Sequence, residues 1–192
     1  SQSQLPFVEN DSYRPNSPYS ASKAAVNHIA RAWHQTYRLP IITTNSTNNY
    51  GPYQFAEKLI PLCITNALKG KKIPIYGNGS QTRDWIYVLD HCRAIREVLE
   101  KGRPGETYNI GASNELKNID VVTLICDYLD QLSPKSNKIS YKTQIEFVVD
   151  RLAHDKRISL NPTKIFNKIG WEPIESFKSG LKKTVKWYIK NS

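Results

Sequence analysis

From Ser17 to Asn45 the sequence lays down a helix and then a strand with almost nothing between them, and few folds accommodate that junction. Ser17 suits an N-cap and Pro18 the first helical position, where a missing N–H costs nothing. Val26, Ile29, Ala30, Trp33 and Tyr37 recur at helical spacing, which predicts a face turned to a core. The helix is expected to run to about Arg38 and to stop ahead of Pro40. Ile41-Ile42-Thr43-Thr44-Asn45 then reads as a short buried strand. A helix followed so closely by a strand is an α/β unit, typical of a parallel sheet. Ser46 to Pro52 is predicted to be a polar turn at the strand's C-terminal end, the edge at which open α/β sheets bind ligands.

The alternation continues along the chain. Residues 56–69 read as a helix in which Pro61 must sit in the first turn or make a kink, and Ile73-Pro74-Ile75-Tyr76 as an edge strand, because proline cannot donate to a central ladder. After the Gly77-Asn78-Gly79 turn, residues 83–88 read as a β segment leading into a helix through Ala94, Ile95, Val98 and Leu99. A strand follows at 107–110, then a helix capped by Asn118 or Asp120 and running through Val121, Val122, Ile125 and Leu129. A polar linker over 133–142, a strand over 145–149, a short helix near 162–168 stopped by Gly170, and an amphipathic helix on Phe177, Leu181, Val185 and Tyr188 complete the reading. The fold class expected is α/β: the C-terminal part of a Rossmann-type parallel sheet with a smaller α/β substrate-binding domain.

With 192 residues, 39% hydrophobic and 23% charged, the chain is globular and long enough for one cored domain or part of a larger protein. No apolar run approaches the ~20 residues that span a bilayer, and the first residues lack the basic and apolar regions of a signal peptide. Cys63, Cys92 and Cys126 are few, scattered and odd in number, which fits a reduced cytoplasmic compartment better than a disulfide framework. The net charge of +10 would attract phosphates, nucleic acid included, yet the late lysines alternate with apolar residues as on a solvated helix face, so no nucleic-acid partner is expected. The chain has no Met, even at position 1, and opens on a polar segment where a strand is due, from which we expect the front of a longer protein to be missing.

Tyr19 and Lys23 are four residues apart, so they share one face of the first helix. A free phenol titrates at about 10 and is a poor base at neutral pH, but a neighbouring ammonium favours its phenolate, which can then take the proton of a sugar hydroxyl. Such a pair is also common on helices where the tyrosine packs and the lysine is solvated. Lys58, Arg83 and Arg151 stand beside turns, as either phosphate ligands or surface charges, with Asp84 and Asp150 as possible partners. Asn48, Asn49 and Asn118 offer amides to sugar hydroxyls or phosphates, or simply form turns. His28, His34, His91 and His154 have no ligand spacing with the cysteines, so no metal site is expected. Neither a nucleophile elbow nor a glycine-rich dinucleotide loop is present.

In order along the chain come Ser17-Pro18-Tyr19-Ser20-Ala21-Ser22-Lys23-Ala24, Asn48-Asn49-Tyr50-Gly51-Pro52-Tyr53-Gln54-Phe55, Glu57-Lys58-Leu59-Ile60-Pro61, Pro74-Ile75-Tyr76-Gly77, Arg83-Asp84-Trp85-Ile86-Tyr87-Val88, Tyr108-Asn109-Ile110-Gly111, Asp150-Arg151 with His154-Asp155, and Gly170-Trp171. This series resembles the C-terminal portion of the dTDP-glucose 4,6-dehydratases, of the extended short-chain dehydrogenase/reductase family, from about residue 13 onward. Tyr-x-x-x-Lys and Arg-Asp-Trp are shared with many nucleotide-sugar epimerases; the run from Asn48 to Pro61 points to the dehydratases.

The resemblance implies an NAD-dependent lyase of deoxysugar (rhamnose-type) synthesis, a cytoplasmic homodimer acting on dTDP-glucose by oxidation at C4, loss of water across C5 and C6, and reduction at C6. It implies Tyr19 as base, Lys23 on the cofactor ribose, Asn49 on the nicotinamide side and Asn48 near the substrate. Lys58, Leu59, Pro74, Ile75, Tyr76, Arg83, Asn118, Arg151 and His154 would line the nucleotide-diphosphate pocket. Residues 1–55, with returns near 83–100 and 107–111, would belong to the NAD-binding Rossmann domain, and 56–192 mainly to the nucleotide-sugar-binding domain. The family's glycine loop and its Thr-Asp-Glu triplet belong upstream of Ser1, so this chain alone is expected to be inactive. Leu152-Ala153 replaces the usual Pro-Gly before His154. The alternatives are a UDP-sugar epimerase or decarboxylase, which would share Tyr19 and Lys23, and a non-catalytic phosphate or nucleic-acid binder.

Overall fold

The computed structural model describes residues 5–152 and 155–191. Helix α1 spans Pro18–Tyr37; the Ser17 hydroxyl accepts the Ser20 N–H at 3.1 Å, and the helix ends where Arg38 turns left-handed at φ 57° and returns its N–H to His34. Strand β1 (Thr43–Ser46) follows, then β2 (Asn48–Tyr50), α2 (Leu59–Leu68), β3 (Ile73–Tyr76), β4 (Thr82–Tyr87) and α3 (Val88–Lys101). The chain continues through β5 (Thr107–Ile110), β6 (Glu115–Lys117), α4 (Asn118–Leu132), a 3-10 turn (Tyr141–Gln144), β7 (Ile145–Val148), β8 (Arg157–Ile158), α5 (Thr163–Ile169) and α6 (Phe177–Asn191).

Parallel pairing dominates. β1 runs parallel to β5, β3 to β7, and β2 to β4; β4 also pairs parallel with β8 and antiparallel with β6. Pro74 sits opposite Glu146 in the two-stranded β3–β7 ladder, as an edge position requires.

β4 divides the core. Its alternation sends Trp85 and Tyr87 into a cluster with Tyr50, Ile60, Ile64, Val122, Ile125, Leu129, Leu181 and Val185, while Ile86 joins Val98, Tyr108, Ile110, Ile165, Ile169 and Trp171 on the other face. Each fully buried aliphatic side chain contributes about 1.5–3 kcal/mol of transfer free energy.

Five expectations need correction. The apolar stripe of α1 does not reach a core: Val26, Ile29, Trp33 and Tyr37 are all exposed, because the β1–β5 pair alone is too narrow to cover it. The β1 strand is half exposed, with Thr44 and Ser46 turned to solvent. Ser46–Pro52 turns only at Gly51 and Pro52: Asn48–Tyr50 pairs with Trp85–Tyr87, long-range ladder bonds overriding the turn tendency of asparagine. Helix α4 has no side-chain cap from Asn118 or Asp120; Lys117 holds the cap position, and the exposed N–H groups are met from another loop. The 133–142 linker passes into the 3-10 turn, in which Tyr141 and Gln144 are buried.

Candidate functional site

The turn between β3 and β4 gathers Tyr76, Arg83, Asn118 and Arg151 of the residues singled out above. Gly77 (φ 58°) and Gly79 (φ 72°) are left-handed, a conformation that favours glycine. A side chain at Gly79 would meet Ile119 at 2.8 Å and Ile75 at 2.9 Å, so the turn lies directly on the start of α4. Its carbonyls take the helix's first N–H groups: Asn118 N donates to Gln81 O at 3.0 Å and Ile119 N to Gly79 O at 3.1 Å. Backbone thereby supplies the cap that the sequence did not.

Onto this turn folds the segment after β7. Gly77 N donates to Val148 O at 2.9 Å, and the buried Gln81 amide donates to Asp150 Oδ2 at 2.8 Å and Tyr76 O at 3.3 Å. The Arg151 guanidinium sits 4.8 Å above the Tyr76 ring. Arg83, only 7% exposed, donates from Nη1 to Thr82 O at 2.8 Å. Burial lowers its pKa from the ordinary guanidinium value, Asp155 and Asp150 oppose that shift, and Arg151 adds to it. Two cations on separate elements thus share a small region with two carboxylates.

Asn48 pairs with Trp85 in register, which puts it on the β4 face that carries Arg83. Asn49 donates from Nδ2 to Thr47 O at 3.2 Å, and its carbonyl accepts from Gln54 Nε2 at 2.8 Å. Among the described residues Asn49 Oδ1, Asn118 Oδ1 and Trp85 Nε1 are buried without a hydrogen-bond partner. Lys58 occupies the cap position of α2 with its ammonium 3.1 Å from Glu57, and Leu59 begins the helix. Ile75 is buried in the core and Pro74 half-buried.

Tyr19 and Lys23 stand apart from that cluster. Tyr19 is 72% exposed, and Lys23 Nζ is 5.8 Å from its ring centroid, so the pair does share a face. Helix α1 is tied to the sheet through Asn27 Nδ2 donating to Asn45 Oδ1 at 3.1 Å, and Asn45 Nδ2 to Asn109 Oδ1 at 3.2 Å. A cavity of about 350 Å³ beside it is lined by Glu9, Tyr13, His28, Arg31, Thr43 and Lys164 among others, and by none of the expected site residues. His154 lies outside the described residues. Among the described residues no group of three or more His, Cys, Asp or Glu is placed to hold a metal, and no helix is long and apolar enough to cross a membrane.

Sequence reasoning missed Gln81 and the linking role of Asp150; the glycine turn ahead of Gln81 was the available signal. It also offered Asp84 as a partner for Arg83. Adjacent strand residues point to opposite faces, and Asp84 instead accepts the Ala112 and Asn114 N–H groups at 3.1 and 2.7 Å.

The family model described as GDP-mannose 4,6 dehydratase matches residues 1–184. The chain belongs to this family. This GDP-mannose 4,6 dehydratase family member is 56% identical over 186 residues to the dTDP-glucose 4,6-dehydratase of Salmonella typhimurium, covering 97% of the chain and 51% of that relative. The chain spans about half the length of the curated relatives it matches. Among solved structures it is similar to the Streptomyces venezuelae dTDP-glucose 4,6-dehydratase with NAD and TYD bound (TM-score 0.91, 43% identity, 100% of this chain and 56% of that one). It is also similar to the Bacillus anthracis dTDP-glucose 4,6-dehydratase in complex with NAD (TM-score 0.88, 51% identity, 97% and 57%).

Proposed function

We propose that this chain carries the nucleotide-sugar site and the Tyr–Lys pair of an NAD-dependent dTDP-glucose 4,6-dehydratase. The observation that carries the reading is the convergence of Arg83, Arg151, Tyr76 and Asn118 on one turn, in a chain 56% identical to a named dTDP-glucose 4,6-dehydratase. Arg83 and Arg151 meet the diphosphate from two elements, Tyr76 offers a ring to the base, and Asn118 Oδ1 offers a buried acceptor. Asn48, on the same β4-facing side as Arg83, turns toward the sugar, and Lys58 and Leu59 approach from the head of α2, which packs on β3 and α4.

The residues present fit NAD: a phenol and an ammonium exposed side by side on α1 suit ribose hydroxyls, and the unpartnered Asn49 Oδ1 suits a carboxamide N–H. NAD, when bound, supplies the oxidant for the sugar C4. Tyr19 takes the proton of the C4 hydroxyl at its phenol oxygen, and Lys23 orients the ribose through Nζ. We assign 1–55, 83–100 and 107–111 to the cofactor side and 56–192 mainly to the nucleotide-sugar side; the cluster of Ile86, Val98, Tyr108 and Ile110, joined by α5 and Trp171, supports that division, while Tyr50, Trp85 and Tyr87 pack across it into the other cluster. The uncovered stripe on α1 supports a homodimer, and the free Cys63, Cys92 and Cys126 support a cytoplasmic setting.

Calorimetric titration of the chain with dTDP and with UDP tests the reading. Tighter binding of dTDP is expected. Binding of neither by a chain that still unfolds cooperatively overturns it.

A further inference from the structure

We propose that Asp150 is a positioning residue that aims Arg151 at the nucleotide diphosphate, an inference that rests on the reading of this site given above. Both carboxylate oxygens are committed: Oδ1 accepts the Arg151 N–H at 2.8 Å and Oδ2 accepts Gln81 Nε2 at 2.8 Å. The Gln81 amide also reaches Tyr76 O, so one buried side chain joins the residue beneath the guanidinium to the residue before it. Gly77 makes the seat. A Cβ there would stand 3.0 Å from Asp150 Oδ2, 3.2 Å from Cγ and 3.3 Å from Cβ, and the glycine's φ of 58° already disfavours any side chain.

The apolar neighbours of Asp150 do not anchor the segment. Val149 is 91% exposed and Leu152 99% exposed, so past Val148, whose carbonyl Gly77 holds, no flanking apolar side chain is packed down. A carboxylate beside an anion site is unfavourable unless something offsets it. Here it lies within the electrostatic reach of Arg83, and its oxygens face N–H donors of the protein. Asp150 therefore sets the direction of Arg151 without needing to touch the ligand.

The test is a double-mutant cycle read by dTDP calorimetry on the 192-residue chain, with thermal unfolding recorded for each variant. Asp150→Ala is expected to weaken dTDP binding about 3- to 10-fold with little change in Tm, and to add nothing in an Arg151→Ala background. Asp150→Asn keeps an acceptor for the Arg151 N–H but turns an amide N–H toward Gln81 Nε2, so an affinity between those of Asp150→Ala and the wild type is expected. A second readout does not depend on the ligand: trypsin should nick the Arg151–Leu152 bond several-fold faster in Asp150→Ala than in the wild type. Equal affinities for wild type and Asp150→Ala, the same loss in both backgrounds, or equal nicking rates overturns the inference. A wild type that binds no dTDP while nicking still depends on Asp150 overturns the ligand reading and leaves the latch standing.

Discussion

The Tyr50 hydroxyl lies over the backbone of Gly180. It donates to the Phe177 carbonyl at 3.2 Å at the start of α6, and it occupies the space that a Cβ on Gly180 would fill. Burial pushes the Tyr50 pKa above the ordinary phenol value, so the hydroxyl remains a donor there. This contact seats the C-terminal helix on the aromatic group of Tyr50, Trp85, Tyr87 and Phe177.

Gly180→Ala is therefore expected to destabilise the fold by about 1–3 kcal/mol through overpacking. Adding Tyr50→Phe removes the hydroxyl and should recover part of that loss. Recovery is only partial, because Glu175 and Tyr87 also approach the new methyl at 3.1 Å each. Urea midpoints of the two single variants and the double variant check it; strict additivity would refute the contact.

Asp84 is fully buried, and burial raises its pKa while the N–H groups of Asn114, Ala112 and Ser113 pull it back down. Asp84→Ala would leave the half-buried Ala112 and Asn114 N–H groups without their acceptor, at up to about 1–3 kcal/mol for each one that water does not reach. A marked drop in Tm is expected, whereas Asp84→Asn, which keeps one acceptor oxygen, should lose less.

Arg83→Ala should weaken dTDP binding by about 10- to 100-fold, the range for charge-assisted hydrogen bonds. Arg83→Lys is not expected to restore it, since an ammonium lacks the planar fork that grips two phosphate oxygens. Calorimetry on both variants decides, and a wild-type affinity in Arg83→Ala removes this arginine from the site.

Burial holds the His91 pKa below its ordinary 6.5. As pH falls below about 6.5 the unfolded chain takes up this proton before the folded one does, so the unfolded state is favoured. The contribution of His91 is intact above that pH and is lost progressively below it. His91→Gln should flatten the acid side of a stability–pH curve measured by urea denaturation, and an unchanged slope would contradict the assignment.

The local grammar of the chain was legible without a structure. Ser17 and Pro18 start α1, Gly170 stops α5 at φ 77°, and Pro74 marks an edge strand, because each of these effects acts within one turn of backbone. The Tyr19–Lys23 pair and the family resemblance were equally visible, being matters of order and spacing. Tertiary structure alone decided the rest. Asn48–Tyr50 is a strand only because Trp85–Tyr87 lies alongside it, and α4 does without a side-chain cap only because the Gly79 and Gln81 carbonyls reach it. Arg83 and Asp84 read as natural partners in the sequence, yet the pleat turns one toward Asp150 and the other toward the Ala112–Asn114 backbone. Which groups meet, and which face of α1 finds a partner, depends on chain segments many residues apart, and the energies of those encounters leave no mark on local sequence.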